Sequence, residues 1–392
     1  MEEKSQNSSH EKRNKVLGGL LALFLIAGLI AFLLWYFIYE YEASTEDAYV
    51  HGNQVSISSQ IFGFIKTINA EETDIVQEGD LIIKLDQTDY IIALAEAKSN
   101  LANTLRDVFG LFQKVQELQA EKKIQEVQTW LAEEDFTHRK NLLESGGISL
   151  EDFQHAEATL KSRQQEEKRV AHQLEAAIAM VENTTIISHP LVIKAIENLK
   201  EAYVNLERCS VRAPARGMIA QRRAQVGMPV NPSDRLMTIV PLEQIWVNAN
   251  FKETELRNVR IGQPVSMYSD LYGDGVMYHG KVVGLTAGTG NVFSVLPPQN
   301  ATGNWIKIVQ RLPVRISFVS SEIAQHPLRL GLSMHVTVDT HNRSGDTVPL
   351  PSTIETLYST KIFEDQLQGV DALIKDIIKE NLPEEAWTDL DG

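Results

Sequence analysis

The chain has 392 residues, of which 43% are hydrophobic and 23% charged, a folding composition with room for two or three domains. Its formal net charge of −15 argues against a nucleic-acid partner, because binding phosphates needs a basic face. The single cysteine, Cys209, excludes an internal disulfide and a cysteine-based zinc site, and reads as a small hydrophobe near a strand start.

Residues 1–15 end in Lys12, Arg13 and Lys15, whereas residues 16–39 carry no charge. Twenty-four residues of helix span about 36 Å, enough to cross a bilayer core. After Tyr39 no Lys or Arg occurs before Lys66, while Glu40, Glu42, Glu46 and Asp47 do. Positive charge stays on the cytoplasmic side, so residues 1–15 are expected inside and everything after the anchor outside, from an inner membrane. Trp35, Tyr36, Tyr39 and Tyr41 suit an interfacial aromatic belt. The stretch is too long for a signal-peptide core and ends in aromatics instead of small residues.

Next comes an internal repeat at an offset of 154 residues. Gly63-Phe64-Ile65 matches Gly217-Met218-Ile219, Val76 matches Val230, and Asp80 matches Asp234. Ile82 matches Leu236, and Leu85 matches Ile239. Short apolar or alternating runs read as strands, with turns at Glu78-Gly79-Asp80 and Pro232-Ser233-Asp234. Neither copy could bury a core alone, so two quasi-symmetric halves, 40–88 and 208–242, are expected to pack face to face as one β-sandwich. The pattern resembles the biotinyl/lipoyl fold, with Gly63, Gly79, Asp80, Gly217 and Asp234 as its structural turn residues. In carriers of that fold a hairpin between the halves presents a modified lysine. No Met-Lys-Met occurs here, and about 120 residues stand in that place. No cofactor is therefore expected, and a lipoyl or biotin carrier subunit is the reading disfavoured.

Residues 89–207 are rich in Ala, Leu, Glu, Gln and Lys and lack proline from Asp89 to His189. Leu94, Leu101, Leu105, Val108, Phe112 and Val115 follow coiled-coil spacing. So do Phe153, Ala156 and Leu160, then Val170, Leu174, Ala177 and Val181, with Arg163 and Glu167 interrupting. Gly146 and Gly147 stop the first arm, Ser149 caps the second, and the second arm breaks near 183–190. The prediction is a long antiparallel α-helical hairpin with its tip at about 143–150.

From 243 to 345, strand patterns at Ile245–Phe251, Pro264–Tyr268, Tyr278–Leu285, Ile306–Phe318 and Leu328–Thr340 suggest a small β-barrel. Residues 346–392 hold eleven acidic residues and three lysines and form an acidic tail. It is expected to be partly helical, with Val370, Leu373, Ile374, Ile377 and Ile378 on one stripe. The fold class is thus α+β.

Catalytic signatures are missing, so the chain is expected not to be an enzyme. It has no Gly-x-x-x-x-Gly-Lys-Ser/Thr loop, and Gly331-Leu332-Ser333-Met334-His335 lacks the second glycine of a nucleophile elbow. His138, His155 and His172 are each seventeen residues apart and cannot converge on a metal.

Anchor, split lipoyl-like domain and inserted hairpin, with the runs 46–52, 248–254, 260–265, 300–307 and 310–315, resemble the membrane fusion proteins, or HlyD-like periplasmic adaptors, of bacterial export pumps. The likeness spans about residues 15–345. It implies an adaptor subunit of a tripartite multidrug efflux pump that acts as a homo-oligomer. The partners implied are an inner-membrane, proton-driven major-facilitator drug exporter of the EmrB type and a TolC-like outer-membrane channel. The cargo implied is lipophilic drugs, and an adaptor of a type I (ABC) secretion system is the alternative. Adaptors that meet TolC-like ducts carry an Arg, a Leu four residues on and a Ser past the turn. Arg139, Leu143 and Ser149 keep that order with a span one residue shorter. The resemblance thus implies partner contact at Arg139, Leu143, Gly146, Gly147, Ile148 and Ser149. Arg257, Arg260, Trp305, Arg311 and Arg315 are candidates either for transporter contact or for ordinary structural roles.

Overall fold

The computed structural model describes residues 3–37, 41–290, 292, 308–349 and 355–386. Helix α1 (Glu3–Phe37) contains an apolar stretch, Arg13–Leu33, long enough to cross a membrane, and none of that stretch is buried against the protein. Tyr39, Trp305 and the run 300–307 lie outside the described residues.

Strands β1 (Glu42–Thr45) and β2 (Ala48–Gly52) follow, then β3 (Val55–Ser58), β4 (Gly63–Ile68), β5 (Ile75–Val76) and β6 (Leu81–Leu85). Helix α2 (Thr88–Glu144) runs out, and α3 (Leu150–Val181) and α4 (Pro190–Glu207) run back. Strands β7 (Ser210–Arg212), β8 (Gly217–Arg222), β9 (Pro229–Val230) and β10 (Arg235–Val240) form the second copy of the repeat.

The two copies do not each make a sheet, as packing face to face would require; they exchange strands. One sheet has the order β3-β10-β8-β5, and the other, its repeat equivalent, has β7-β6-β4-β9. Gly63 pairs with Val230, and Val76 pairs with Gly217. Each half thus supplies the partner the other lacks. Its shared core includes Ile65, Ile82, Leu85, Ile219, Leu236, Ile239 and Cys209, all buried. The two turns match in detail. Asp80 Oδ2 accepts from the Gln77 N–H, and Asp234 Oδ2 from the Asn231 N–H, each at 2.7 Å. Gly79 (φ 91°) and Ser233 (φ 75°) occupy equivalent left-handed positions.

Strands β11 (Ile245–Lys252), β12 (Pro264–Ser269), β13 (Met277–Leu285), β14 (Arg311–Phe318) and β15 (Met334–Asp339), with the short helix α5 (Ser320–Gln325), build the other β unit. Its antiparallel sheet has the order β1-β15-β12-β13-β14-β11-β2. A bridge between Tyr49 and Ser333, with Val50 N–H donating to Leu332 O at 3.0 Å, curls the two edges together into a barrel-like wall. Phe251, Met267, Tyr278, Ile316 and Val336 fill it.

Two expectations need correction here. Residues 42–52 belong to this seven-stranded sheet and not to the first sandwich half, because β1 and β2 pair with β15 and β11. The last strand begins at Met334 and not at Leu328, because Gly331 takes a positive φ of 83° and ends any extended run before it. In the tail, α6 (Val370–Asn381) forms and packs on the base of the hairpin.

The equivalent glycines Gly63 and Gly217 are not equally tight. A Cβ at Gly217 would lie 2.6 Å from Val240 O and Ile239 Cγ2, whereas one at Gly63 meets Leu85 Cδ1 at 3.4 Å. Gly217→Ala should therefore destabilise the sandwich by about 1–3 kcal/mol through overpacking, and Gly63→Ala by less. Hydrogen exchange in β8 and β10 checks this, and equal acceleration in both variants would contradict it.

Candidate partner-contact site at the hairpin tip

Three distinct regions follow one another along the hairpin. At the base, Leu101, Leu105 and Val108 are fully buried against Val192 and Leu199 of α4 and against α6, so this part is a three-helix cluster and not the expected two-helix seam. Farther out α2 packs on α3, with Leu118, Ala156 and Val170 buried. Polar groups enter this seam. Gln125 is buried, and its Oε1 and the Thr129 Oγ1 have no hydrogen-bond partner. Arg163 Nη1 donates to Gln128 Oε1 at 2.6 Å across the two arms. Phe136 stacks obliquely on Phe153 at 5.3 Å near the outer end.

Turn geometry at the tip follows from its sequence. The Gly147 N–H donates to Leu142 O at 2.8 Å and the Gly146 N–H to Leu143 O at 3.0 Å. That is the paired bonding of a Schellman stop, with Gly146 at the required positive φ of 75°. Gly147 does not take a positive φ, so the two glycines are not equivalent. Ser149 is the N-cap of α3, accepting from the Asp152 N–H at 3.1 Å and donating to Asp152 Oδ2 at 2.7 Å. These bonds from the hydroxyl and its turn hold the Asp152 carboxyl below the usual carboxylate range.

The six predicted tip residues are brought together in one turn, but they are not equally available to a partner. Arg139 Nε donates to Asp135 Oδ1 at 3.0 Å and its Nη1 to Asp152 O at 3.4 Å, so the guanidinium ties the two arms. Leu143 and Ile148 are half-buried, while Gly146, Gly147 and Ser149 are exposed. The apolar groups most open to a partner are Leu142, 47% exposed, and Leu150, 61% exposed, which flank the turn. Sequence order alone missed them, because the family pattern points to Leu143, and Leu142 lies about 100° around the helix from it, on the uncovered side. A second uncovered feature is the stripe Ile124, Val127 and Leu131 on α2, whose 3/4 spacing puts it on one helix face, with Trp130 beside it.

Three of the candidate arginines of the barrel-like unit, Arg260, Arg311 and Arg315, are engaged within the chain. Arg311 Nη1 meets Asp47 Oδ2 at 2.7 Å, Arg315 sits 3.9 Å over the Trp246 ring, and Arg260 Nη1 donates to Arg257 O and Val259 O. The sandwich turn residues likewise serve the fold: Asp80 and Asp234 close turns, and Gly217 admits the close approach of Ile239 and Val240.

Comparison with known proteins places this architecture. Residues 88–209 match the family model described as the EMRA alpha-helical hairpin domain. Along 97% of its length the chain is 42% identical to the probable multidrug resistance protein EmrK of Escherichia coli K12, covering 99% of that protein. It is 40% identical to the multidrug export protein EmrA of Escherichia coli K12, over 89% of this chain and 90% of that one. It is 39% identical to the fatty acid resistance protein FarA of Neisseria gonorrhoeae, over 86% of each. The chain belongs to the EmrA-type membrane fusion, or periplasmic adaptor, family.

Replacing Ser149 with alanine should cost the tip about 1 kcal/mol of helix-cap stability. The Asp152 carboxyl has a folded pKa below its unfolded value of about 3.9. Its contribution is thus present above pH about 4 and disappears as pH falls through the folded value. Protection of the amides at the start of α3, measured relative to their intrinsic exchange rates, should be highest at neutral pH and fall in acid, and Ser149→Ala should abolish most of that pH dependence.

Proposed function

We propose that the chain is the periplasmic adaptor of a tripartite multidrug efflux pump. It links a proton-driven major-facilitator exporter in the inner membrane to a TolC-like outer-membrane channel. The observation that carries this reading is whole-length identity to multidrug resistance proteins, 42% over 97% of the chain. The geometry supports it. The anchoring helix α1 is at one end of the chain's sequence, and α2, with 57 residues, reaches about 85 Å to a capped turn. Residues after α1 are then periplasmic and residues before it cytoplasmic, from the charge difference across the anchor.

The protein works by joining partners and not by catalysis. Several copies act together, and the exposed Ile124, Val127 and Leu131 stripe gives neighbouring hairpins an apolar face to share. Its cargo is lipophilic, in keeping with relatives named for multidrug and fatty acid resistance. Leu142 and Leu150 supply the apolar contact to the outer channel, with Gly146, Gly147 and Ser149 holding the turn that presents them. Arg139 and Leu143 brace that turn from inside.

Deleting the gene in a strain stripped of redundant pumps should raise sensitivity to lipophilic drugs and uncouplers. A chain carrying Leu142→Asp with Leu150→Asp should accumulate normally in the inner membrane yet fail to restore resistance. Full restoration by that variant would remove the tip from the proposal, and unchanged sensitivity on deletion would remove the function itself.

A further inference from the structure

We propose that residues 355–386 act as a strap that sets the angle between the helical hairpin and the split β-sandwich. Two short links carry the hairpin: Asp86-Gln87 before α2 and Arg208-Cys209 after α4. They lie side by side, since the Leu85 N–H donates to Cys209 O at 2.8 Å, and the first is held to the sandwich by the Asp86 N–H donating to Phe64 O at 2.8 Å. Tyr90 Oη adds one bond to Phe62 O at 2.6 Å. A root this narrow leaves rocking about the line through its two links, the usual geometry of a hinge. A tie placed away from that line stops the motion.

The tail supplies such a tie at both ends. On the sandwich side, Glu78 Oε1, in the turn between β5 and β6, accepts from the Lys361 N–H at 2.9 Å and from Thr360 Oγ1 at 3.0 Å. On the hairpin side, Tyr203 Oη donates to Gln368 O at 2.8 Å, and Arg106 Nη2 to Asn381 Oδ1 at 2.7 Å. Between these bonds α6 lays Val370, Ile374, Ile377 and Ile378 over Leu101, Leu105, Val192 and Leu199, with Leu382 closing the end. None of the five tail residues is more than 7% exposed. Farther back, the Ile261 N–H donates to Asp346 O at 2.9 Å, so the segment before the strap is held by the barrel-like unit as well.

The strap behaves as a unit that is either docked or released. Helix α6 has 12 residues, too few to persist alone in water, so its helicity depends on the surface it covers. Gly369 at φ 89° starts it, and a Cβ there would meet the Tyr203 hydroxyl at 3.4 Å. The break between α3 and α4 fits the same reading. Helix α4 packs on both α2 and α6, whereas α3 packs mainly on α2, so the return arm changes course where the two-helix hairpin becomes a three-helix base.

The test uses the full chain in lipid nanodiscs with spin labels on cysteines introduced at Thr67, in the sandwich, and Lys123, on α2. Cys209 does not compete, because it is buried and its thiol is pushed up to about 11. The distance between the labels should be narrowly distributed in the intact chain. With Ile374→Asp and Ile378→Asp together, the distribution should broaden about twofold or more, as expected for a freed hinge. Hydrogen exchange over 370–382 reports whether α6 has come off. If it has not, a chain ending at Val348 removes the strap, and the barrel core, whose last member is Val338, stays whole. An unchanged width in a chain whose α6 is released or removed overturns the proposal.

Discussion

Strands β6 and β7 are antiparallel neighbours, with Ile83 opposite Val211 and Lys84 opposite Ser210, although the whole hairpin lies between them in sequence. That pairing is the constraint on which the rest depends. Chain leaving β6 must return into β7 at the same edge of the sheet, so whatever lies between must go out and come back by equal lengths. The hairpin is in effect a greatly lengthened β-hairpin loop. Because loop closure costs only about 0.6 kcal/mol per doubling of length, an insertion of this size is compatible with the small sandwich that carries it. Reciprocal pairing of Gly63 with Val230 and Val76 with Gly217 then locks the two copies of the repeat together. Neither copy can complete a sheet without the other.

Local order along the hairpin follows what each segment can bury. Its base has three apolar faces meeting and is tightly closed. The middle admits Gln125 and Thr129, whose unpartnered oxygens weaken the seam without breaking it, while Arg163 bonds across the two arms to Gln128. At the outer end, order comes from backbone bonding at Gly146 and Gly147 and from the Ser149 cap rather than from a core. Such a tip holds its shape while leaving Leu142 and Leu150 uncovered, which suits a surface that meets another protein.

Much of this was legible in the sequence. The apolar stretch of α1 was visible as an uncharged run, the sandwich as a repeat, and the tip as a glycine pair between two periodic segments. Local patterns could not show which sheet a short strand joins. Alternation at 42–52 reads the same whether its partner is residue 239 or residue 339, and the structure chose the latter. The exchange of strands between the repeat copies was hidden for the same reason, since equivalent segments carry equivalent patterns. The stripe at 370–378 was readable, but its target was not, because Leu101 and Leu105 already had a partner in the expected seam. Arg139 was found by its order in a family pattern, and only geometry shows that its guanidinium is spent on Asp135 and the Asp152 carbonyl.

In the proposed pump the hairpin tip meets an outer-membrane channel. A photo-crosslinking amino acid placed at Leu142 of the full chain in living cells tests it most directly. Tip contact predicts an adduct with an outer-membrane channel protein that disappears when the label is moved to the buried seam position Val170. Adducts confined to inner-membrane proteins, with none to an outer-membrane channel, would contradict it.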